Sequence, residues 1–453
     1  MRTILPNAEL LKHLERRVPR YTSYPTAVQF GPEVTAGSYQ AWLADLPADA
    51  PLSFYLHIPF CAELCLYCGC NTTVVRRYDP VAAYVALLER EIEMVGAIVG
   101  KRRIANLHWG GGTPTILAPQ DFMRLTAALR DKFCFAPDAE LAVEIDPRTM
   151  TRGHAPMLAQ IGITRASLGV QDFDERVQRA VGRIQSVEQT AQVVRWCREA
   201  GIAGINLDLI YGLPHQTTAS TAATIERALD LDPDRIALFG YAHVPWMKRH
   251  QKLIPEHALP DTEERFAQSQ IAADLLIAAG FERIGLDHFA KPGDLLARRG
   301  REHRLHRNFQ GYTTDEAEIL IGFGTSAIGS LPQGYVQNAS NTVAYRTAIE
   351  AGKFAIARGR AVTDEDRLRR DVISSLMCHL TVDLADLCAR HNVGIGHFST
   401  ELTALDGFIS DGLVERAGYV ISLPEQARPF VRMVCARFDQ YLTDDETRYS
   451  RAS

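Results

Sequence analysis

Six short β-rich runs alternate with amphipathic helical stretches through the middle of this 453-residue chain, and that alternation narrows the fold more than any other feature. The runs are LSFYLHI (52–58), RIANLHW (103–109), AELAVEI (139–145), ITRASLGV (163–170), GINLDLIYG (204–212) and RIALFGYA (235–242). Between them, stretches such as PVAAYVALLEREIEMVGAIVG and SVEQTAQVVRWCREAG place apolar residues at the three- and four-residue steps of a helix. Apolar strands joined by crossover helices predict a buried parallel sheet of the α/β class, either open and doubly wound or a full or partial barrel. Six units favour a partial (βα)6 TIM-type barrel, and one more helix (262–280) and strand (282–289) close this region.

Four regions are expected. Residues 1–50, with prolines 19, 25 and 32, read as an ordered N-terminal arm. Residues 51–290 form the barrel, 291–360 a connecting extension packing on the barrel that opens with a basic, loop-like stretch (291–315), and 361–453 a small, mostly helical, winged-helix-like domain with a final helix in RPFVRMVCARFDQYL. Winged helices often bind DNA, but 49 Lys and Arg against 54 Asp and Glu leave a net charge of −5, so no nucleic-acid partner is expected. No apolar run reaches membrane-spanning length, and the start MRTILPNAELLKHLERR lacks a secretory h-region, so no membrane partner and a cytoplasmic location are expected. No coiled-coil seam suggests self-association, and a monomer is expected.

The nine cysteines are odd in number and uneven in spacing, unlike a disulfide framework. Four of them fall in CAELCLYCGC (61–70), directly after the first strand and therefore at the carboxyl end of the sheet, where α/β active sites lie. Thiolates this crowded select zinc or an iron-sulfur cluster. A structural zinc site usually has a second ligand pair a dozen or more residues away, which is missing here, although a zinc knuckle that recruits Cys70 remains the alternative. Cys61, Cys65 and Cys68 could hold three irons of a cubane and leave the fourth open.

Other strand ends carry candidates. Gly110, Gly111 and Gly112 bring backbone close to a ligand or simply make a tight turn. Glu144 offers a carboxylate to ribose hydroxyls or a cation, or is a solvated strand end. Asp208, inside the apolar run INLDLIYG, must find a partner, a structural salt bridge being the alternative to a ligand role. His57 could position or protonate something near the cysteines or be a satisfied core histidine.

CxxxCxxC directly after a strand resembles the signature of radical S-adenosylmethionine (SAM) enzymes, and YLHIPFCAELCLYCGC is similar to the oxygen-independent coproporphyrinogen III dehydrogenases. The resemblance extends in order through PRYTSYPTA (19–27), HWGGGTPT (108–115), EIDPR (144–148), GVQDF (169–173), NLDLIYGLP (206–214), YAHVP (241–245), LDHFA (286–290), HRNFQGYTT (306–314) and RRDVISSLMC (369–378). It implies a 4Fe-4S cluster on Cys61, Cys65 and Cys68, with SAM chelated at the open iron and cleaved by one electron to methionine and a 5′-deoxyadenosyl radical. Tyr55, Gly111, Glu144 and Ile328 match positions around that SAM. Tyr67, Gly112, Thr113, Gln171, Arg183, Asp208 and Ala242 match positions around a second. Tyr55, His57 and Cys70 are the catalytic candidates, Cys70 not being counted as a ligand.

The implied reaction is oxidative decarboxylation of two propionates of coproporphyrinogen III to vinyl groups, giving protoporphyrinogen IX. It needs an electron donor of flavodoxin or ferredoxin type and an electron acceptor the sequence does not identify. Propionates call for cations, and the candidates are Arg20 with Tyr21 and Tyr24, the run Arg298, Arg299, Arg301, Arg304 and Arg307, and His288 and Lys291. A haem chaperone of the same superfamily is the alternative. Those relatives follow CxxxCxYC with aspartate and phenylalanine and lack the arm, whereas this chain has Gly69-Cys70 and PRYTSYPTA.

Overall fold

The computed structural model describes residues 8–442 and Tyr449. The remaining residues of the expected arm and C-terminal domain lie outside the described residues. All six expected strands form: β1 (Leu52–Ile58), β2 (Arg103–Gly111), β3 (Cys134–Ile145), β4 (Arg165–Gln171), β5 (Gly204–Tyr211) and β6 (Arg235–Gly240). They pair in parallel in sequence order, with Phe54 opposite Leu107 and Asp208 opposite Ala237. The helices α1 (Asp79–Val99), α2 (Pro119–Lys132), α3 (His154–Gln160), α4 (Val187–Glu199) and α5 (Thr218–Leu229) cross over between them. Six of the seven residues of β1 are buried, as expected of a strand covered on both faces. Helix α1 turns Val81, Val85, Leu88, Ile92, Val95 and Val99 onto the sheet and stops where Gly100 takes φ +72°.

Four expectations are corrected. After α6 (Thr262–Ala278) the chain does not add another parallel unit. Strands β7 (Glu282–Ile284) and β8 (His288–Ala290) form a hairpin, and β8 runs antiparallel to β6, because the turn between them is too short for a crossover. The basic stretch 291–315 is not loop-like: it holds a helix, Leu295–Arg301, and a hairpin of His306–Asn308 with Gly311–Thr313. The region beyond does more than pack on the barrel. Its first strand, β9 (Ile319–Phe323), lies parallel to β1 as a seventh parallel strand, and β10 (Ile328–Leu331), β11 (Gly334–Asn338) and β12 (Ile356–Ala361) continue antiparallel from it. The result is one sheet in the order β12-β11-β10-β9-β1-β2-β3-β4-β5-β6-β8-β7.

A second core lies at the C-terminal end, between the helices Asp364–His379 and Leu384–Arg390 and a three-stranded wing of Thr381–Asp383, Val420–Ser422 and Glu415–Ala417. The expected long final helix breaks into short turns around Val431–Cys435, with Pro429 ahead of them. Leu14, Val18, Tyr21 and Tyr24 of the arm belong to this second core, so the arm packs on the C-terminal region. No described helix is long and apolar enough to cross a membrane.

Glu91 of α1 ties the sheet's added strands to the barrel. It is buried and accepts from Tyr345 Oη, Asn338 Nδ2 and Gly324 N, each at 2.7 Å. Burial outweighs these donors and pushes its carboxyl up to about 7. The folded chain therefore holds this proton more tightly than the unfolded chain, and stability falls as pH rises from the ordinary glutamate value through about 7. Relative to Glu91→Gln, the wild type is expected to lose about 3 kcal/mol across that window. Parallel pH dependences in denaturant melts of the two would remove Glu91 as the source.

Candidate active site

Beyond Ile58 the chain leaves the sheet in the cysteine loop. Phe60–Cys61 pairs in parallel with Thr73–Val74, so the loop returns to its own start and holds Cys61, Cys65, Cys68 and Cys70 over the carboxyl ends of the strands. The three functional groups Lys248 Nζ, His250 Nε2 and Gln251 Nε2 clamp it from outside, bonding the carbonyls of Cys70, Cys68 and Tyr67 at 2.9, 2.8 and 2.9 Å. All four cysteines line one cavity of about 450 Å³, together with Tyr67, Gly111, Gly112, Thr113, Glu144, Gln171, Arg183, Asp208 and Ala242. The structure thus gathers thirteen of the sixteen expected site residues at one place.

The second strand meets the loop where side chains have no room. A Cβ on Gly112 would stand 2.6 Å from the Phe60 carbonyl oxygen and 3.0 Å from Cys61 Sγ, and Gly111 combines φ +114° with a Cβ position 2.7 Å from the His57 ring. Thr113 Oγ1 donates to Cys61 Sγ at 3.6 Å. Burial pushes the Cys61 thiol up to about 11. Cys68 goes the other way, to about 6, chiefly because the Cys70 thiol donates to it. Cys65 receives Arg148 and Arg183 guanidinium nitrogens, each at 3.5 Å. These cations are locked by Asp146, which pairs with Arg148 at 2.7 Å and Arg183 at 3.2 Å. The burial of Asp146 opposes ionisation, but the two arginines hold its carboxyl below the usual range.

Asp146 and Arg148 were missed as site residues, although both lie in the EIDPR block; their signal was a buried charge pair that only the fold reveals. Glu144 is no solvated strand end. It accepts from His108 Nε2 and Gly111 N, both at 3.0 Å, and these outweigh burial to keep it below the usual carboxylate range. Asp208 does not form the alternative salt bridge: its hydrogen-bond partners are Ser167 Oγ and Asn206 Nδ2, both at 2.8 Å, and burial raises it to about 6. Gln171 sits at a strand irregularity with φ +70°, a conformation costly for a non-glycine residue and concentrated at functional sites.

Three expected residues stand back from the cavity. Tyr55 Oη lies 3.0 Å from His57 Nδ1, and His57 Nε2 lies 3.0 Å from the Asn71 carbonyl. A carbonyl only accepts, so Nε2 carries the proton and Nδ1 takes the tyrosine hydrogen, while burial lowers the imidazole's affinity for a second proton. Ile328 starts β10, its carbonyl against Gly322, the register partner of Tyr55.

The donor set fits an iron-sulfur cubane. Among the described residues no three metal-binding side chains converge as ligands of one ion, but three cysteines on three corners of a cubane stand farther apart than ligands of a single metal. Cationic donors on Cys65 and the missing Cβ beside Cys61 suit a bulky anionic cluster.

Residues 55–228 match the model of the Radical SAM superfamily. A curated relative from Bradyrhizobium diazoefficiens, an oxygen-independent coproporphyrinogen III oxidase, is 52% identical over 97% of this chain and 98% of its own. This chain belongs to the oxygen-independent coproporphyrinogen III oxidase family. The oxidase of the same name from Paracoccus denitrificans is 44% identical over 96% of each chain. The solved coproporphyrinogen III oxidase from Escherichia coli, described as a radical SAM enzyme, superposes with a TM-score of 0.91 at 38% identity, over 97% of this chain and all of that one. As members of this family are radical SAM enzymes, the cofactors are a 4Fe-4S cluster and SAM.

Proposed function

We propose that this chain oxidatively decarboxylates two propionates of coproporphyrinogen III to vinyl groups, giving protoporphyrinogen IX. The observation that carries the reading is the single cavity in which the cysteine loop, the glycine run, Glu144, Arg183 and Asp208 meet, in a chain that matches oxidases of this name along nearly its whole length. Reduced cluster and SAM together supply a hydrogen-abstracting radical.

The residues hold, aim and shield. Cys61, Cys65 and Cys68 are the cluster ligands. Gly111 N–H and Glu144 are already joined at 3.0 Å and form the polar edge for the SAM on the cluster, with Tyr55 and Ile328 behind that edge. Gly112, Thr113, Tyr67, Gln171, Arg183, Asp208 and Ala242 are the contacts for a second SAM. His57, bonded at both ring nitrogens, is a positioning residue that ties β1 to the returning loop at Asn71, while exposed Cys70 presents its thiol to the cavity. A one-electron carrier of the flavodoxin or ferredoxin type is the donor. Nine free cysteines suit a reducing compartment, the cytoplasm.

The test is anaerobic: reconstitute with iron and sulfide, add dithionite, SAM and coproporphyrinogen III, and follow 5′-deoxyadenosine and vinyl-porphyrin together. Both are expected, with two deoxyadenosines per protoporphyrinogen. A bound cluster that forms neither product, with stoichiometric haem binding, would return the chaperone alternative.

A further inference from the structure

Beside the main cavity, behind the end of β6, lies a smaller recess of about 60 Å³ lined by Arg20, Arg265, Arg283, Arg307 and Arg432, with Asp287 as the one carboxylate among the described residues of its wall. It is too small for a tetrapyrrole and suited to one of its arms. Arg20 and Gly240 line both spaces, and Arg20 donates to the Gly240 carbonyl at 2.9 Å, so the recess adjoins the main cavity at that contact.

Among the described residues, Arg20, Arg283 and Arg307 of this wall have no carboxylate closer than 3.9 Å, whereas charges in a protein interior are normally paired. These three donate to neutral carbonyls: Arg20 to Gly240, Arg307 to Arg20 and Arg283 to Leu286. The carboxylate of Asp287 is engaged by His288 at 2.7 Å and reaches Arg307 only at 3.9 Å. Glu425 stands 3.9 Å from Arg283 and is itself bound by Arg428. Arg283 Nε, Arg307 Nε and one terminal nitrogen of Arg307 are buried and donate to nothing, and the Arg307 side chain is only 7% exposed. Arg20 is exposed and faces both spaces.

We propose that this recess is a carboxylate-anchoring subsite, in which Arg20, Arg283 and Arg307 take a propionate of the substrate other than the one undergoing reaction. The inference rests on the tetrapyrrole reading above. The cysteine loop follows β1 and the recess opens at β6, so the arm seated here belongs to a different part of the ring from the arm presented to the cysteines. Burial and the neighbouring Arg428 press Arg283 down to about 10, and an incoming carboxylate relieves that destabilisation. The remaining cations of the sequence argument are excluded from this role. Arg299 and Arg304 pair with Glu302 and Glu316, Arg301 with Glu282 and Lys291 with Asp232, while Arg298 is exposed; none lines either space.

Fluorescence quenching of coproporphyrin III, the oxidised form with the same four propionates, by anaerobic holoenzyme tests this. Arg307→Gln and Arg283→Gln are each expected to weaken binding about tenfold or more and to raise KM, with iron content and substrate-free 5′-deoxyadenosine formation as in the wild type. Mesoporphyrin IX, which keeps only the two propionates retained in the product, is expected to suffer the same penalty. Wild-type affinity in both variants overturns the subsite, and a penalty absent with mesoporphyrin IX overturns its assignment to a retained arm. A matching fall in substrate-free SAM cleavage overturns it too, since the arginines would then be shaping the active site. A wild type that neither binds coproporphyrin III nor forms vinyl product fails the reading on which the subsite depends, an outcome distinct from intact turnover with indifferent variants.

Discussion

Reconstituted Cys61→Ala, Cys65→Ala and Cys68→Ala chains are each expected to hold little iron and to form no 5′-deoxyadenosine, a loss of turnover on the order of a thousandfold or more, because a cubane held by three thiolates loses one of its three anchors in each. Cys70 stands close enough to Cys68 for its backbone N–H to reach that sulfur at 3.4 Å, yet it is the exposed member of the set. Cys70→Ala is therefore the informative control and is expected to keep its iron. The loop lies at the end of the sheet, and only Cys65 among the four is buried, so the variants should melt near the wild type. Iron analysis and circular dichroism on the four proteins check the assignment. Normal iron and turnover in all three ligand variants would sink it.

Arg183→Ala is expected to act on stability and chemistry together. Its guanidinium spans Asp146 through two 3.2 Å contacts and reaches Cys65 at 3.5 Å. Removing one partner of a buried pair leaves the other charge under-compensated, which costs about 3 kcal/mol, and Arg148 limits the damage. Losing a group that bonds a cluster ligand should lower turnover between about 10- and 100-fold while most iron is retained. Urea titration and the deoxyadenosine assay separate the two effects. A rate equal to that of the wild type would remove Arg183 from the site.

The strands and the cysteine loop were legible because both are local signals: β1 ran Leu52–Ile58 in the structure as in the sequence, and CxxxCxxC fell just after it. Asp208 was legible as an anomaly, an acid in an apolar strand, but not in its partners, since Ser167 and Asn206 are ordinary polar residues until the sheet sets them beside it. The strand Ile319–Phe323 was overlooked because its parallel partner is β1, more than 260 residues earlier, and no crossover helix announces it. The arginines were the hardest to read. The basic run near residue 300 is contiguous in sequence, whereas Arg283 and Arg432 stand apart and meet only through the β7–β8 hairpin and the C-terminal turns.

The arm's attachment has a consequence for the order in which the protein becomes competent. Arg432 Nε bonds the Pro19 carbonyl across a separation of 413 residues, and the Gln440 backbone N–H bonds Tyr24 Oη across 416. Such distant partners can meet only after nearly the entire chain has left the ribosome, and closing so long a loop is favoured late, once shorter-range structure has formed. The parallel strands and the cysteine loop need none of these contacts. A nascent chain can thus complete the cysteine loop while the wall that carries Arg20 is still missing, and the enclosed cavity is among the last parts of the molecule to be assembled.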